Sequence, residues 1–333
     1  GGIRSRYRAQ DMIAKLLTKA MAPGGSQGRL STLIFHRVLS EPDPIFPGEP
    51  DIRRFDEMLG WVKRWFNVLP LDRAVHLLAR NELPARTLTI TFDDGYADNA
   101  ENALPVLQKH GMSATFFIAT SFLNGGRMWN DTVIEAVRNT DRSELDLIEI
   151  GLGRHTVASP DEKRAAIESI LRQIKYELPA DRLERAAAIA KMAGSRLSDR
   201  LMMRSDQVRV LRDSGMQIGA HTLNHPILAR LSDADARFEM QGSKAFLEDL
   251  LGEEIPLFAY PNGRPDQDYL SRHAVIARDV GFAAAVSTAP GVALPGADLF
   301  QIPRFTPWDR TAMRFGLRML MNTRVTRPAV ATT

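Results

Sequence analysis

The sequence predicts an α/β chain whose six or seven short parallel strands form an incomplete (β/α)7-type barrel, interrupted by a helical insertion over about residues 124–204. Three observations predict it. Short apolar runs rich in β-branched residues recur, as LSTLIF at 30–35, TLTITF at 87–92 and ATFFIA at 114–119; such runs suit strands buried on both faces. Helical patterns separate them, and strand–helix–strand alternation builds parallel sheets. Reactive polar residues stand at the C-terminal strand ends, which right-handed crossovers gather on one rim.

In chain order, residues 9–21 are expected to form a short amphipathic helix, ended by Pro23-Gly24-Gly25. The first strand delivers His36, and the four prolines of EPDPIFPGEPD then demand an irregular loop. A helix over 55–66 presents Phe55, Met58, Leu59 and Val62 on one face, and Asp72 is expected to cap the next. Strand 87–92 ends in Asp93-Asp94-Gly95, and a helix over 99–110 stops at Gly111. The insertion carries helical patterns at 161–178 and 181–193 with few strand candidates. Beyond it, Ser205-Asp206 should cap a helix to Asp213, MQIGA at 216–220 leads into His221, and Ser232 caps a helix over 232–251. Runs at 257–260, 283–286 and 301–305 supply further strands. The expected units are an N-terminal segment 1–28, the barrel 29–310, and a C-terminal helix and tail 311–333.

Composition narrows the function. Forty-three Lys and Arg nearly balance forty Asp and Glu, a net +3, so nucleic acid is not expected as a partner. The chain has no cysteine, which excludes disulfides, thiolate metal sites and a cysteine nucleophile; any metal must sit on His, Asp and Glu. The basic N-terminus is broken by Lys15 and Lys19 and does not read as a signal peptide, and no apolar stretch is long enough to span a membrane. That favours the cytoplasm. The chain begins Gly-Gly rather than Met, so an upstream export segment stays open, and oligomeric state has no sequence signal.

Three strand ends carry the chemistry. In HTLNHP, His221 and His225 are four apart, a spacing that lets two imidazoles reach one ion across a helical turn. Zn²⁺, Co²⁺ or Ni²⁺ suits such ligands, with a carboxylate completing the set. The same spacing also arises on ordinary helical surfaces. Asp93-Asp94-Gly95 serves equally well as a turn and cap, or as a metal ligand beside a free base.

Taken together, TFDDGYADN, GAHTLNHP and AYPNG resemble the motifs of the polysaccharide deacetylase (NodB-homology, carbohydrate esterase 4-like) family, over about residues 30–306. The resemblance implies the incomplete barrel and one divalent metal, zinc first and cobalt or nickel as alternatives, held by Asp94, His221 and His225, with Asp93 as base. The family's usual Arg-x-Pro-Tyr-Gly appears here as Ala259-Tyr260-Pro261-Asn262-Gly263, so its arginine and tyrosine are missing. Tyr260, Pro261 and Asn262 are expected on the substrate and oxyanion side, the donor being a backbone N–H near Asn262. Arg304 would take over the missing arginine's role; a surface salt bridge is the alternative.

No histidine follows His273, and His36 on the first strand resembles the circularly permuted branch that includes poly-N-acetylglucosamine deacetylases. His36 is then the general acid, against a reading as a satisfied core histidine. Trp129, opening the insertion, would wall the sugar groove or pack in the core. His76, His110, His155 and His273 read as partnerless surface residues, and 311–322 as a basic amphipathic helix packed on the barrel rather than on a membrane. The implied activity is metal-dependent removal of an N-acyl group, N-acetyl first, from an amino-sugar glycan. The alternatives are deacylation or deformylation of a lipid-linked sugar or another non-peptide amide, and a catalytically silent glycan-binding barrel.

Overall fold

The computed structural model describes residues 12, 15, 16 and 18–333. The described residues up to Met21 are helical; the rest of the helix expected over 9–21 lies outside the described residues.

The frame is one parallel sheet. Its strands are β1 (Ser31–Phe35), β2 (Asn67–Val68), β3 (Thr87–Phe92), β4 (Thr115–Ile118), β7 (Gln217–Ala220), β8 (Leu257–Ala259) and β9 (Ala284–Val286). They run in the order β1-β3-β4-β7-β8-β9, with β2 added at the start of β3. The stretch expected as a last strand makes only single bridges: Ile302 pairs with Val286, and Phe305 with Leu33. The sheet therefore curls round to its own first strand, but the ring closes only loosely between β9 and β1. That is the incomplete barrel.

Burial explains the strand composition. Every residue of β1, β3 and β4 is buried, which parallel strands covered on both faces require. Phe92 stacks on Phe35 and Phe116 at 5.4 and 4.8 Å, and Phe55 meets Phe35 edge-on at 5.3 Å. Phe55 belongs to α1 (Ile52–Trp65), whose buried face is Phe55, Met58, Leu59 and Val62, as the periodicity predicts. Its cap is Asp51, which accepts from Arg54 N.

Next come α2 (Leu71–Ala79) and α3 (Leu104–His110), the latter entered through a π-turn at Asn99–Ala103 and closed by Gly111 in the left-handed region. Pro70, not Asp72, is the cap of α2, because Asp72 already lies in its first turn.

The insertion comprises α4 (Trp129–Arg138), a short antiparallel hairpin β5 (Glu144–Asp146) and β6 (Arg154–Thr156), α5 (Pro160–Ile174) and α6 (Pro179–Ala193). It builds its own apolar cluster around Val133, Ile167, Ile170 and Ile189, and Ile45 from the proline-rich loop joins that cluster. The remaining helices are α7 (Ser205–Asp213), α8 (Asp233–Leu251), α9 (Ser271–Val280) and α10 (Ala312–Thr323). Ser232 caps α8 as expected, whereas Arg204 precedes α7 at the place assigned to Ser205-Asp206.

Candidate active site

The site forms where β1, β3, β7 and β8 end. Beyond β3, Asp94 and Gly95 both take positive φ, 78° and 93°. The resulting turn brings Gly95 against Ile118, where an added Cβ would meet that side chain at 3.3 Å. Beyond β7 the chain forms a loop, not the helical turn inferred from the spacing of the histidines. Thr222 and His225 sit at φ 67° and 51°. A β-branched residue at positive φ is strained, and such strain gathers at functional sites. Thr222 Oγ1 donates to the His221 carbonyl and accepts from His225 N–H at 3.0 Å. Buried Glu239 of α8 accepts from Leu223 N, Asn224 N and Asn224 Nδ2. Held this way, the two imidazole rings stand 4.9 Å apart.

Asp94 Oδ1 lies 3.3 Å from Nε2 of both His221 and His225. His221 Nδ1 is 2.7 Å from the Ala259 carbonyl. A carbonyl only accepts, so Nδ1 carries a proton and Nε2 is the ring atom that faces the carboxylate. Asp94 Oδ1 is buried and has no hydrogen-bond partner among the described residues. Burial pushes the Asp94 carboxyl up, but the attraction of His225 and the neighbouring imidazoles overcomes it and holds the group well below the usual carboxylate range. Two imidazole nitrogens and a carboxylate oxygen within 4.8 Å of one another make a donor set that a cation satisfies. Nitrogen and oxygen donors of this kind fit Zn²⁺ and its first-row neighbours.

Asp93 faces the other way. Arg304 forks onto it, Nη1 to Oδ1 and Nη2 to Oδ2, both at 2.7 Å. Arg304 is 0% exposed, so the surface salt-bridge reading fails. Its Nε donates to the Ser287 carbonyl, and Nη1 donates also to Thr91 Oγ1. Burial again pushes Asp93 up, yet the Arg304 charge, then His221, pulls it below the ordinary value. Asp93 is therefore ionised near neutral pH. Its Oδ2 is 3.9 Å from His221 Nε2.

His36 is exposed at the rim rather than sealed in the core. Asn99 Nδ2 donates to its carbonyl at 2.9 Å, and Asp98 accepts from Val38 N and Arg37 Nε. These groups open into a cleft of about 610 Å³ lined also by Asn262, Phe46, Ile134 and Trp308. Asn262 has φ 58°, and its N–H has no hydrogen-bond partner among the described residues.

Three expected contacts fall away. Tyr260 is fully buried: its hydroxyl donates to the Phe300 carbonyl, its ring stacks on Tyr269 at 4.0 Å, and its N–H serves the sheet. Pro261 is buried and has no N–H to offer. Trp129 packs on the insertion's core beneath Arg182, 4.7 Å away, and does not line the cleft. Nor are all the other histidines partnerless surface groups. His273 is fully buried and accepts from Leu270 N, His110 meets Asp56 at 2.6 Å, and His155 meets the Leu152 carbonyl; only His76 is simply exposed.

The pattern also hides part of the site. Tyr96 donates to Asp131 at 2.9 Å inside the cleft, and Asp131 is raised to about 7 by burial and by the charge of Asp94. The YADN run contains Tyr96, Asp98 and Asn99, but reads as a polar turn.

A family model described as polysaccharide deacetylase matches residues 80–285. The Bacillus subtilis (strain 168) protein YxkH is 20% identical over 289 residues, covering 86% of this chain and 74% of that protein. Among solved structures, the Streptococcus pyogenes deacetylase PplD, in complex with acetate, is 21% identical at TM-score 0.55, covering 84% of this chain and 92% of that one. IcaB from Ammonifex degensii is 19% identical at TM-score 0.57, covering 88% and 98%. Identities this low speak to the fold. The matched segment spans more than half of the sequence and contains Asp93, Asp94, His221, His225 and Asn262. The chain belongs to the polysaccharide deacetylase family, hydrolases of N-acetyl amide bonds.

Proposed function

We propose that this chain removes the acetyl group from an N-acetylated amino sugar of a polysaccharide, using one divalent cation, zinc, held by Asp94, His221 and His225. The observation that carries the reading is the pairing of two unlike carboxylates. Asp94 Oδ1 is orphaned among imidazole nitrogens, while Asp93 beside it is ionised and clamped by Arg304. The cation, when bound, supplies Lewis acidity and lowers the pKa of water.

The side chains do the rest. Asp93 accepts the proton of the attacking water at its carboxylate, which Arg304 keeps ionised and fixed in orientation. The Asn262 N–H donates to the amide oxygen as negative charge builds there; one such donor is worth about 10²–10³ in kcat. His36, at the rim, serves as the acid that gives a proton to the leaving amine. Acetate and a free amino sugar result.

The test joins metal content with acetate release from chitooligosaccharides. One metal per chain, lost in His221→Ala together with activity, is expected. Asp93→Asn should keep the metal and lose turnover. Near-wild-type turnover in Asp93→Asn would sink the mechanism, and metal without acetate release would sink the substrate.

A further inference from the structure

Among the described residues, the outer face of α10 is largely uncovered. Its inner face, Phe315 and Met319, is buried, and Phe315 packs against Trp61 at 5.5 Å. Met313, Leu317 and Met321, spaced four apart, form the opposite stripe and are 81%, 59% and 60% exposed. Trp308 just before the helix is 55% exposed. It lines both the catalytic cleft and a neighbouring groove of about 720 Å³ along α10, and Phe305, Thr306 and Pro290 are common to both. Charge follows the same surface. From Phe305 to the C-terminus the chain holds five arginines against one aspartate, a net +4, whereas the whole chain is +3. That aspartate, Asp309, is already paired with Arg318. Arg314, Arg324 and Arg327 are exposed, and Arg314 lines the groove with Leu317 and Met321.

An apolar stripe flanked by cations, with a tryptophan at its edge, complements an anionic bilayer surface: the methylenes enter the acyl boundary and the guanidinium groups meet the headgroups. No helix among the described residues is long and apolar enough to cross a membrane, so the contact is interfacial. We propose that the outer face of α10, with Trp308, docks this protein on an anionic phospholipid surface, and that the catalytic cleft opens beside that surface.

The test needs no catalysis, so it stands apart from the deacetylase reading. Vesicles of equal parts phosphatidylglycerol and phosphatidylcholine should sediment the protein, and pure phosphatidylcholine should not. Leu317→Asp should abolish sedimentation. Arg314→Ala, Arg324→Ala and Arg327→Ala should each weaken it about fivefold, and more salt should weaken it further. Thermal melts by circular dichroism check that each variant folds. Because the chain has no cysteine, Met313→Cys takes one spin label. A label mobile in the free protein and immobilised on anionic vesicles supports the proposal. No sedimentation with anionic vesicles, or equal sedimentation of Leu317→Asp, overturns it. So does a label already immobile without lipid, which would mean that another copy, or another part of this chain, covers the face.

Discussion

Arg304 and Asp93 form a fully desolvated pair, and what each does depends on the other. Remove the guanidinium and Asp93 loses the strongest influence that opposes burial, leaving the imidazoles of His221 and His36, so its carboxyl rises. A base must be ionised, so the acid limb of kcat/KM in Arg304→Ala should move to higher pH, with metal content unchanged. Breaking a buried pair also costs about 3–5 kcal/mol of stability. Arg304→Lys keeps a charge but loses the fork, and should fall between. A pH profile with an unmoved acid limb would mean that the arginine only supports the fold. Asn99 acts one step further from the chemistry, through the His36 carbonyl. Asn99→Ala frees that strand end, and a shift of about 1 Å in a catalytic group can cost about 10²-fold. The loss should fall on kcat, with KM and metal content near wild type. At this scale the sequence speaks where a residue type is rare in its setting. A histidine closing an apolar strand is conspicuous, and so is a pair of aspartates. Asn99 and Asp98 are not, because polar residues after a strand are what any turn contains. Tyr260 and Trp129 misled for the opposite reason: an aromatic side chain serves a core as readily as a sugar.

At the scale of elements, strand cores and helix faces were legible, since apolar periodicity is the force that folds them. Caps and loops were not. Phe55, Met58, Leu59 and Val62 lie on the expected face of α1, but the hairpin β5–β6 has three-residue strands without an apolar run. The HTLNHP loop owes its shape to Thr222 and to Glu239, a residue distant in sequence. His273 shows what such contacts do to stability. At the start of α9, its Nδ1 accepts from Leu270 N, and burial first, then repulsion from Arg272, lowers its pKa to about 4. The folded state thus resists protonation that the unfolded chain accepts near 6.5. Its contribution is complete above pH 6.5 and lost as pH falls toward 4, on the order of 3 kcal/mol in all. His273→Asn keeps an acceptor for Leu270 N but does not titrate there. Its unfolding free energy should fall less between pH 7 and pH 4.5 than that of the wild type, as denaturant titrations at the two values can show. Equal slopes would assign the acid sensitivity elsewhere.

Across the whole molecule, the cleft joins the matched segment to parts on either side of it. The match runs over 80–285, while His36 precedes it and Arg304 follows it. The sheet brings both home by curling until β1 lies beside β3, with Ile302 bridged to β9 and Phe305 to β1. The cleft's outer wall is a second assembly. Asp43 of the proline-rich loop takes a bidentate contact from Arg138 at the end of α4, at 3.0 and 2.7 Å. Arg164 of α5 donates to the carbonyls of Ile45 and Pro44, and Ile45 sits in the insertion's core. These contacts tie the loop to the insertion. A hydrogen bond to a charged group contributes about 1.5–3 kcal/mol, so losing the Arg138 fork should lower the free energy of local opening by about that much. In Arg138→Ala, amide exchange over 41–49 should then quicken by about 10–10²-fold, while β3 amides, which open only with the whole fold, change far less. Exchange that quickens equally in both segments would mean that Arg138 supports global stability. Exchange that quickens in neither would leave Ile45 and Arg164 to hold the wall alone.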